Sequence, residues 1–256
     1  MTTPMVRRIL ITNDDGIDAP GLAILERIAG RLAEEVWVVA PEHDRSGAGQ
    51  SISIHSPLRM YPKGERRYAL SGTPADCVLF AEAQWFADTP PDLVLSGVNY
   101  GANISDSVPY SGTVGAVLTA QRLGIPAIAL SQAYFGGAAI DWSAVEQHGE
   151  AVIRRLWQLR QSGCWNVNFP ACRAEQIREA RWCRQSRGSI QKTRLVAGED
   201  ARSLPYWWLG FERSSRHIVA ADADATVLRE QAIAITPLTA AQSLPDGGNR
   251  WLLSES

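Results

Sequence analysis

Short apolar runs alternate with stretches of helical periodicity through the first two thirds of the chain. Arg8–Thr12 is apolar and stops at Asn13-Asp14-Asp15-Gly16, which predicts a strand ending in a sharp loop. Pro20–Leu32 carries Leu22, Leu25, Ile28, Ala29 and Leu32 at three- and four-residue steps, one face of a helix. Val36–Ala40, closed by Pro41, predicts a second strand, and Leu93–Ser96 before Gly97 a third. Val114–Arg122 reads as a helix, Ala127–Ser131 as a strand, Trp142–Gln161 as a long helix and Trp165–Phe169 as a further strand. Leu58–Tyr61 and Arg67–Leu70, on either side of Lys63-Gly64, predict a hairpin inserted after the second strand.

Strand, loop, helix, strand in repeated order predicts an α/β fold: a Rossmann-like, doubly wound, mostly parallel sheet. The strands are continuously apolar, not alternating, as expected when helices cover both faces. The rhythm stops near Pro170. Beyond it the chain is polar and Arg-rich, then gives Tyr206-Trp207-Trp208 and an apolar Ile233–Thr236 before Pro237. We expect residues 1–170 to form the core and 171–256 an extended arm of β character that completes the same domain and serves oligomerisation. At roughly 150 residues per domain, 256 residues allow one large domain or one with an arm.

Composition narrows the partners. A formal net charge of −2 speaks against a dedicated nucleic-acid binder and against a polybasic membrane-surface protein. At 45% hydrophobic and 20% charged residues the chain can bury a substantial core. No stretch approaches the roughly 20 apolar residues of a membrane span. Arg7-Arg8 before Ile9-Leu10-Ile11 is followed too soon by Asn13-Asp14-Asp15 to read as a signal peptide. Cys77, Cys164, Cys172 and Cys183 form no C-x-x-C pair, and lone thiols fit a reducing, cytoplasmic compartment.

In a doubly wound sheet, ligands bind beyond the carboxyl ends of the strands, so the loops that follow the strands are where chemistry belongs. In the first, Asp14 and Asp15 are adjacent carboxylates that raise each other's pKa unless a cation neutralises them. Alone, Asp-Asp-Gly is also an ordinary solvated turn. In the second, Pro41–Gly49, Ser46 offers a hydroxyl among small residues, although such loops are commonly plain connections. The third runs Ser96-Gly97-Val98-Asn99-Tyr100-Gly101-Ala102-Asn103, and Ser111-Gly112-Thr113 then opens a helix whose N-terminus favours a phosphate; simple N-capping by Ser111 or Thr113 accounts for it equally. Together they place two carboxylates, a serine, an asparagine and an anion-ready helix start at one sheet edge, the outline of a metal-assisted phosphoester site. G-x-x-x-x-G-K-[ST], G-x-G-x-x-G and G-x-S-x-G are all absent.

These residues also carry a likeness. Ile11-Thr12-Asn13-Asp14-Asp15-Gly16 with Ala19-Pro20-Gly21 resembles the opening of the SurE family of survival-protein nucleotidases. Val39-Ala40-Pro41, Arg45-Ser46-Gly47, Pro57-Leu58-Arg59, Gly72-Thr73-Pro74-Ala75-Asp76-Cys77-Val78 and Ser96–Asn103 continue it in order. Tyr110-Ser111-Gly112-Thr113-Val114, Asn166-Val167-Asn168-Phe169-Pro170 and Thr236-Pro237-Leu238 extend it across nearly the whole chain. The chain departs from the family's pattern over Arg173–Arg216 and at Ala225-Thr226-Val227-Leu228-Arg229, where a small-residue turn is usual.

The resemblance implies a divalent-metal-dependent 5′/3′-nucleotidase that releases phosphate from nucleoside monophosphates, with possible additional polyphosphatase activity. It implies one Mg²⁺ or Mn²⁺ on Asp14, Asp15, Ser46 and Asn99, and phosphate contacts from Ser111, Gly112 and Thr113, to which we add Asn103. The nucleophile is either a metal-activated water or, through an aspartyl phosphate, Asp14 or Asp15. It also implies a homodimer or tetramer, with no membrane and no nucleic-acid polymer as partner. Two rivals remain at this level: a nucleotide-binding module without turnover, and a phosphatase acting mainly on polyphosphate or sugar phosphates.

Overall fold

The basic pair Arg7-Arg8 lies inside β1 (Val6–Thr12), whose Ile9, Leu10 and Ile11 are fully covered. In this computed structural model residues 4–136, 139–159, 163–188, 190–213 and 220–240 are described. α1 (Pro20–Ala29) has proline in its first turn, where a missing N–H breaks no helical bond, and Gly30 caps its end three residues short of the apolar pattern. β2 (Ala33–Pro41) follows, and then the inserted hairpin of β3 (Met60–Gly64) and β4 (Arg67–Leu70), paired antiparallel.

α2 (Pro74–Ala81), continued by a π-helical turn at Glu82–Phe86, was not expected from periodicity. Its apolar residues are not confined to one stripe, because the helix lies in the core. Its start is nevertheless written in the chain. Thr73 accepts from the Asp76 N–H at 3.1 Å, the Asp76 carboxylate accepts from the Thr73 N–H at 2.9 Å, and Pro74 sits in the first turn. β5 (Leu93–Tyr100), α3 (Gly112–Arg122), β6 (Ala127–Gln132), α4 (Ser143–Gln158) and β7 (Cys164–Phe169) complete the alternation. The last two positions expected for α4, Arg160 and Gln161, lie outside the described residues.

The carboxyl third adds β8 (Ala180–Trp182), the long antiparallel pair β9 (Ile190–Glu199) and β10 (Pro205–Arg213), α5 (Asp224–Arg229) and β11 (Ile233–Leu238). β9 and β10 are the expected arm. α5 and β11 go beyond it: the chain returns to the main sheet, where β11 runs antiparallel to β7 and parallel to β8. The nine strands stand in the order β3-β4-β2-β1-β5-β6-β7-β11-β8, and every neighbouring pair from β4 to β7 is parallel. α1 and α4 cover one face, with Leu22, Leu25, Ile28, Val145 and Ile153 against Ile9 and Ile11. α2 and α3 cover the other, with Val78, Val114 and Val117 against Leu10 and Val94.

Candidate metal and phosphate site

The winding direction reverses at β1. β2 lies on one side, reached through α1, and β5 on the other, reached through α2. Loops that leave neighbouring strands in opposite directions open a crevice between their carboxyl ends. β1 and β5 pair up to Thr12 and Ser96, so Asn13-Asp14-Asp15 and the Gly97–Asn103 segment emerge side by side at that crevice.

The first loop is tightly built. Asn13 Nδ2 donates to the Gly16 carbonyl at 2.8 Å, and Gly16 has φ +102° with the His43 backbone pressed against it, a place only glycine fills without strain. Arg45 N–H donates to the Asp14 carbonyl at 2.7 Å, which ties the loop after β2 to the loop after β1. In that second loop the Ser46 N–H donates to Asp44 Oδ1 at 2.6 Å, and the Gly49 N–H donates to the Tyr110 carbonyl at 3.0 Å. The Ser46 segment is thereby strung between Asp14 and the residue that precedes Ser111.

β5 breaks its register with β6 between Ser96 and Asn99. Gly97 there has φ +131°, and its peptide with Val98 is cis. The bulge re-aims the strand end. Asn99 Nδ2 donates to the Gly101 carbonyl at 2.8 Å, which leaves its Oδ1 to accept or ligate, and the Tyr100 N–H donates to Asp15 Oδ2 at 3.0 Å.

Asn103 is buried in an amide network absent from the sequence reading. Its N–H donates to Asn168 Oδ1 at 2.8 Å and its Nδ2 to Ser131 Oγ at 3.0 Å; its carbonyl accepts from Asn166 Nδ2 at 2.7 Å and Asn168 Nδ2 at 3.2 Å. The available signal was two asparagines spaced by two in an otherwise buried strand, since polar groups there must find partners.

Ser111 caps α3, its Oγ accepting from the Val114 N–H at 3.1 Å. The capping role weighed from the sequence is therefore realised. The Thr113 hydroxyl donates to Asp14 Oδ1 at 2.5 Å, and its backbone N–H also interacts with that carboxylate. Gly112 packs so closely that an added Cβ would stand 2.8 Å from Asp14 Cβ and 3.0 Å from Asp14 Oδ2. The helix start and the first carboxylate are thus in direct contact. The Gly112 N–H, in the first turn, has no acceptor within the helix.

Electrostatics single out the aspartates. Burial, the largest cause, raises the Asp14 pKa, against which the Thr113 bonds pull down and the Asp44 charge pushes further up. Asp15 is pushed up to about 6, first by burial and then by the charge of Asp14; the Tyr100 N–H opposes this and Asp44 adds to it. Two adjacent carboxylates that resist ionisation gain strongly from a cation. Among the described residues no three His, Cys, Asp or Glu side chains come together, so a cation here would draw on neutral oxygens such as Ser46 and Asn99. Asn13 Oδ1 is buried beneath the loop with no hydrogen-bond partner among the described residues. An all-oxygen donor set with two carboxylates suits a hard ion such as Mg²⁺ or Mn²⁺.

These features define a doubly wound α/β protein with a buried carboxylate pair set against a helix start at the switch point of its sheet. Comparison with known proteins is consistent with that description. The family model for the survival protein SurE matches residues 9–192. A protein named 5′-nucleotidase SurE 1 from Burkholderia lata is 46% identical over 241 residues, covering 93% of this chain and 92% of its own. A 5′-nucleotidase SurE from Methylorubrum populi is 44% identical over 235 residues, covering 90% and 92%. The crystal structure of the SurE protein from Aquifex aeolicus superposes with a TM-score of 0.78 at 30% identity, covering 92% of this chain and 94% of that one. The chain belongs to the SurE family.

Proposed function

We propose that the protein is a divalent-metal-dependent 5′-nucleotidase, a phosphomonoesterase that converts nucleoside monophosphates to nucleoside and phosphate. The observation that carries this reading is the contact between Asp14 and the start of α3, through Thr113 and Gly112, at the sheet's switch point. It sets a cation-seeking carboxylate pair beside an anion-binding helix end. The names of the relatives support the same activity.

Asp14, Asp15, Ser46 and Asn99 would hold one Mg²⁺ or Mn²⁺. That ion supplies, when bound, polarisation of the phosphoryl oxygens and a lowered pKa for an attacking water. The Gly112 N–H and Ser111 hydroxyl donate to the charge that builds on the phosphoryl group; Asn103, expected to join them, spends its amide groups on Asn168 and Ser131 and acts by holding the loop after β5 in place. Thr113 acts through Asp14, whose carboxylate takes both its hydroxyl and its backbone N–H. Asp14 or Asp15 as nucleophile is the second route, and hydroxylamine trapping of an acyl phosphate separates the two.

Four unpaired, buried cysteines support a reducing, cytoplasmic setting. No helix among the described residues is long and apolar enough to cross a membrane. We further propose a homodimer or tetramer built on β9 and β10. The deciding experiment is phosphate release from nucleoside monophosphates, sugar phosphates and polyphosphate under Mg²⁺, Mn²⁺ and chelator. Metal-dependent turnover of nucleoside monophosphates is expected; no release from any of them overturns the proposal.

A further inference from the structure

Ser111 and Gly112 reach their places through the 3₁₀ turn Ser105–Tyr110, which runs straight into α3. The turn begins in the left-handed region: Ser105 has φ +56°, a conformation that a residue with a side chain keeps only where its surroundings enforce it. Both backbone groups of Ser105 are held by the carboxyl third of the chain. Its N–H donates to Asp224 Oδ2 at 2.9 Å, and its carbonyl accepts from Gln185 Nε2 at 2.8 Å. Asp224, fully buried, opens α5 and lies 119 residues further along the chain.

The Asp224 carboxylate spends its acceptor sites within the protein. Oδ1 accepts from the Ser186 N–H at 3.0 Å, from the Ser186 hydroxyl and from the Ala225 N–H at 2.8 Å, while Oδ2 serves Ser105. Four donors offset the cost of burying the charge, and they make the group a brace, not a ligand site. The turn it braces is tied at every stage. Asp106 Oδ1 and Oδ2 accept from the N–H groups of Gly188 and Ile190 at 3.0 and 2.9 Å, just where β9 starts. At the far end the Tyr110 carbonyl holds the Gly49 N–H of the Ser46 loop, and Ser111 caps α3. A shift at Ser105 is therefore passed on to Ser111 and to the Ser46 segment.

We propose that Asp224 is a positioning residue for the phosphate side of the site, acting through Ser105 and the turn it opens on Ser111 and Gly112. The inference rests on the nucleotidase reading and adds to it a residue that touches neither phosphate nor cation. Six residues of 3₁₀ helix rise about 12 Å, so the carboxylate acts at a distance, by fixing the direction in which the chain leaves Asn103. A role confined to stabilising the carboxyl third would be shared with Ser186, whose hydroxyl bonds the other carboxylate oxygen and does not reach the turn.

The test measures kcat and KM for a nucleoside monophosphate at saturating Mn²⁺, with melting temperature alongside. In Asp224→Asn the amide orientation that keeps the three bonds at Oδ1 sets a donor against the Ser105 N–H. That variant should lose at least tenfold in kcat with KM within about twofold of wild type, the pattern of displaced transition-state donors. Gln185→Ala frees the Ser105 carbonyl and should lower kcat about threefold, and the two losses should combine to less than their product, since both act through one residue. Ser186→Ala leaves the Ser105 bond intact; it should lower the melting temperature and keep kcat within about twofold. Should Asp224→Asn fail to fold, the exposed Gln185 carries the test. Unchanged kcat in Gln185→Ala, a rise in KM in place of a fall in kcat, or an equal fall in Ser186→Ala overturns the positioning role and leaves the nucleotidase standing. Absence of nucleotide hydrolysis in the wild type overturns both.

Discussion

Asp15 holds a proton up to about pH 6 because burial and the neighbouring Asp14 both oppose its charge. The unfolded chain loses that proton near 3.8. Between those values the native state binds more protons than the unfolded state, so this group lowers the stability of the metal-free protein as pH rises from about 4 to 6, and the deficit persists above. Asp15→Asn should therefore raise the melting temperature of the chelated protein at pH 7.5, by the equivalent of about 3 kcal/mol at most, and leave it near wild type at pH 4. The same substitution removes a proposed cation ligand, and phosphate release at limiting Mn²⁺ should fall at least a hundredfold, on the order of 3 kcal/mol of barrier. A variant that is neither stabilised without metal nor inactive with it removes Asp15 from the site. Much of the candidate site was legible along the chain, because Asp14 and Asp15 lie just beyond β1, Ser46 in the loop after β2, Asn99 near the end of β5 and Ser111 at the cap of α3. What Thr113 and Asn103 touch was not visible. The Thr113 bond to Asp14 spans 99 residues, and the Asn103 network needs β7 beside β6, a neighbourhood that periodicity does not encode.

The alternating elements of the core could be read from hydrophobic pattern alone, with ends that moved by a few residues. β5 ran four residues past the expected Ser96, since polar Asn99 and Tyr100 still pair with Ser131 and Gln132 beyond the bulge. α2 escaped periodicity for the opposite reason: a helix covered on most sides has no polar stripe, and only its capping box marks it. The elements also set the spacing of the site. α3 meets the Ser46 loop at Gly115, where a Cβ would stand 2.1 Å from the Gly49 carbonyl oxygen and 2.6 Å from its carbon. Both atoms are backbone, so the loop must shift. Gly115→Ala should cost about 1–3 kcal/mol of stability, the usual toll of overpacking. It should also lower kcat, because the displaced segment runs from Ser46 to the Tyr110 carbonyl that Gly49 engages. Gly136→Ala, whose Cβ meets nothing within 4 Å, provides the control and should leave melting and turnover near wild type. Equal effects of the two substitutions in melting and kinetic assays would remove the link between helix packing and the site.

At the scale of the molecule, two parts of the carboxyl third behave differently. Ile233–Thr236 was recognisable as an apolar run, but its place between β7 and β8 depends on strand order, which only the assembled sheet decides. The β9–β10 ribbon does not join that sheet at all. Trp207 and Trp208 are successive residues of β10 and so point to opposite faces, yet they are 58% and 70% exposed, with Leu195 and Leu209 more than 60% exposed beside them. Neither face of the ribbon is covered by this chain's described residues. An isolated two-stranded ribbon is marginal in water, and large uncovered aromatics are what association surfaces supply. Only near its end does the ribbon touch the site side of its own subunit, where Phe211 stacks on Tyr110. A second copy of the chain is the surface always present at the same concentration, and a ribbon that lies across it covers both faces with few new contacts. Light scattering should therefore give at least twice 28.0 kDa at micromolar concentration. Trp208→Ser should raise the dissociation constant about thirtyfold, some 2 kcal/mol, as expected for a central tryptophan of an interface. Because the ribbon lies outside the core, the variant should keep the wild-type far-ultraviolet spectrum while its mass falls on dilution. A single species of 28.0 kDa for the wild type across the same dilution series would show that the ribbon has no partner among its own kind.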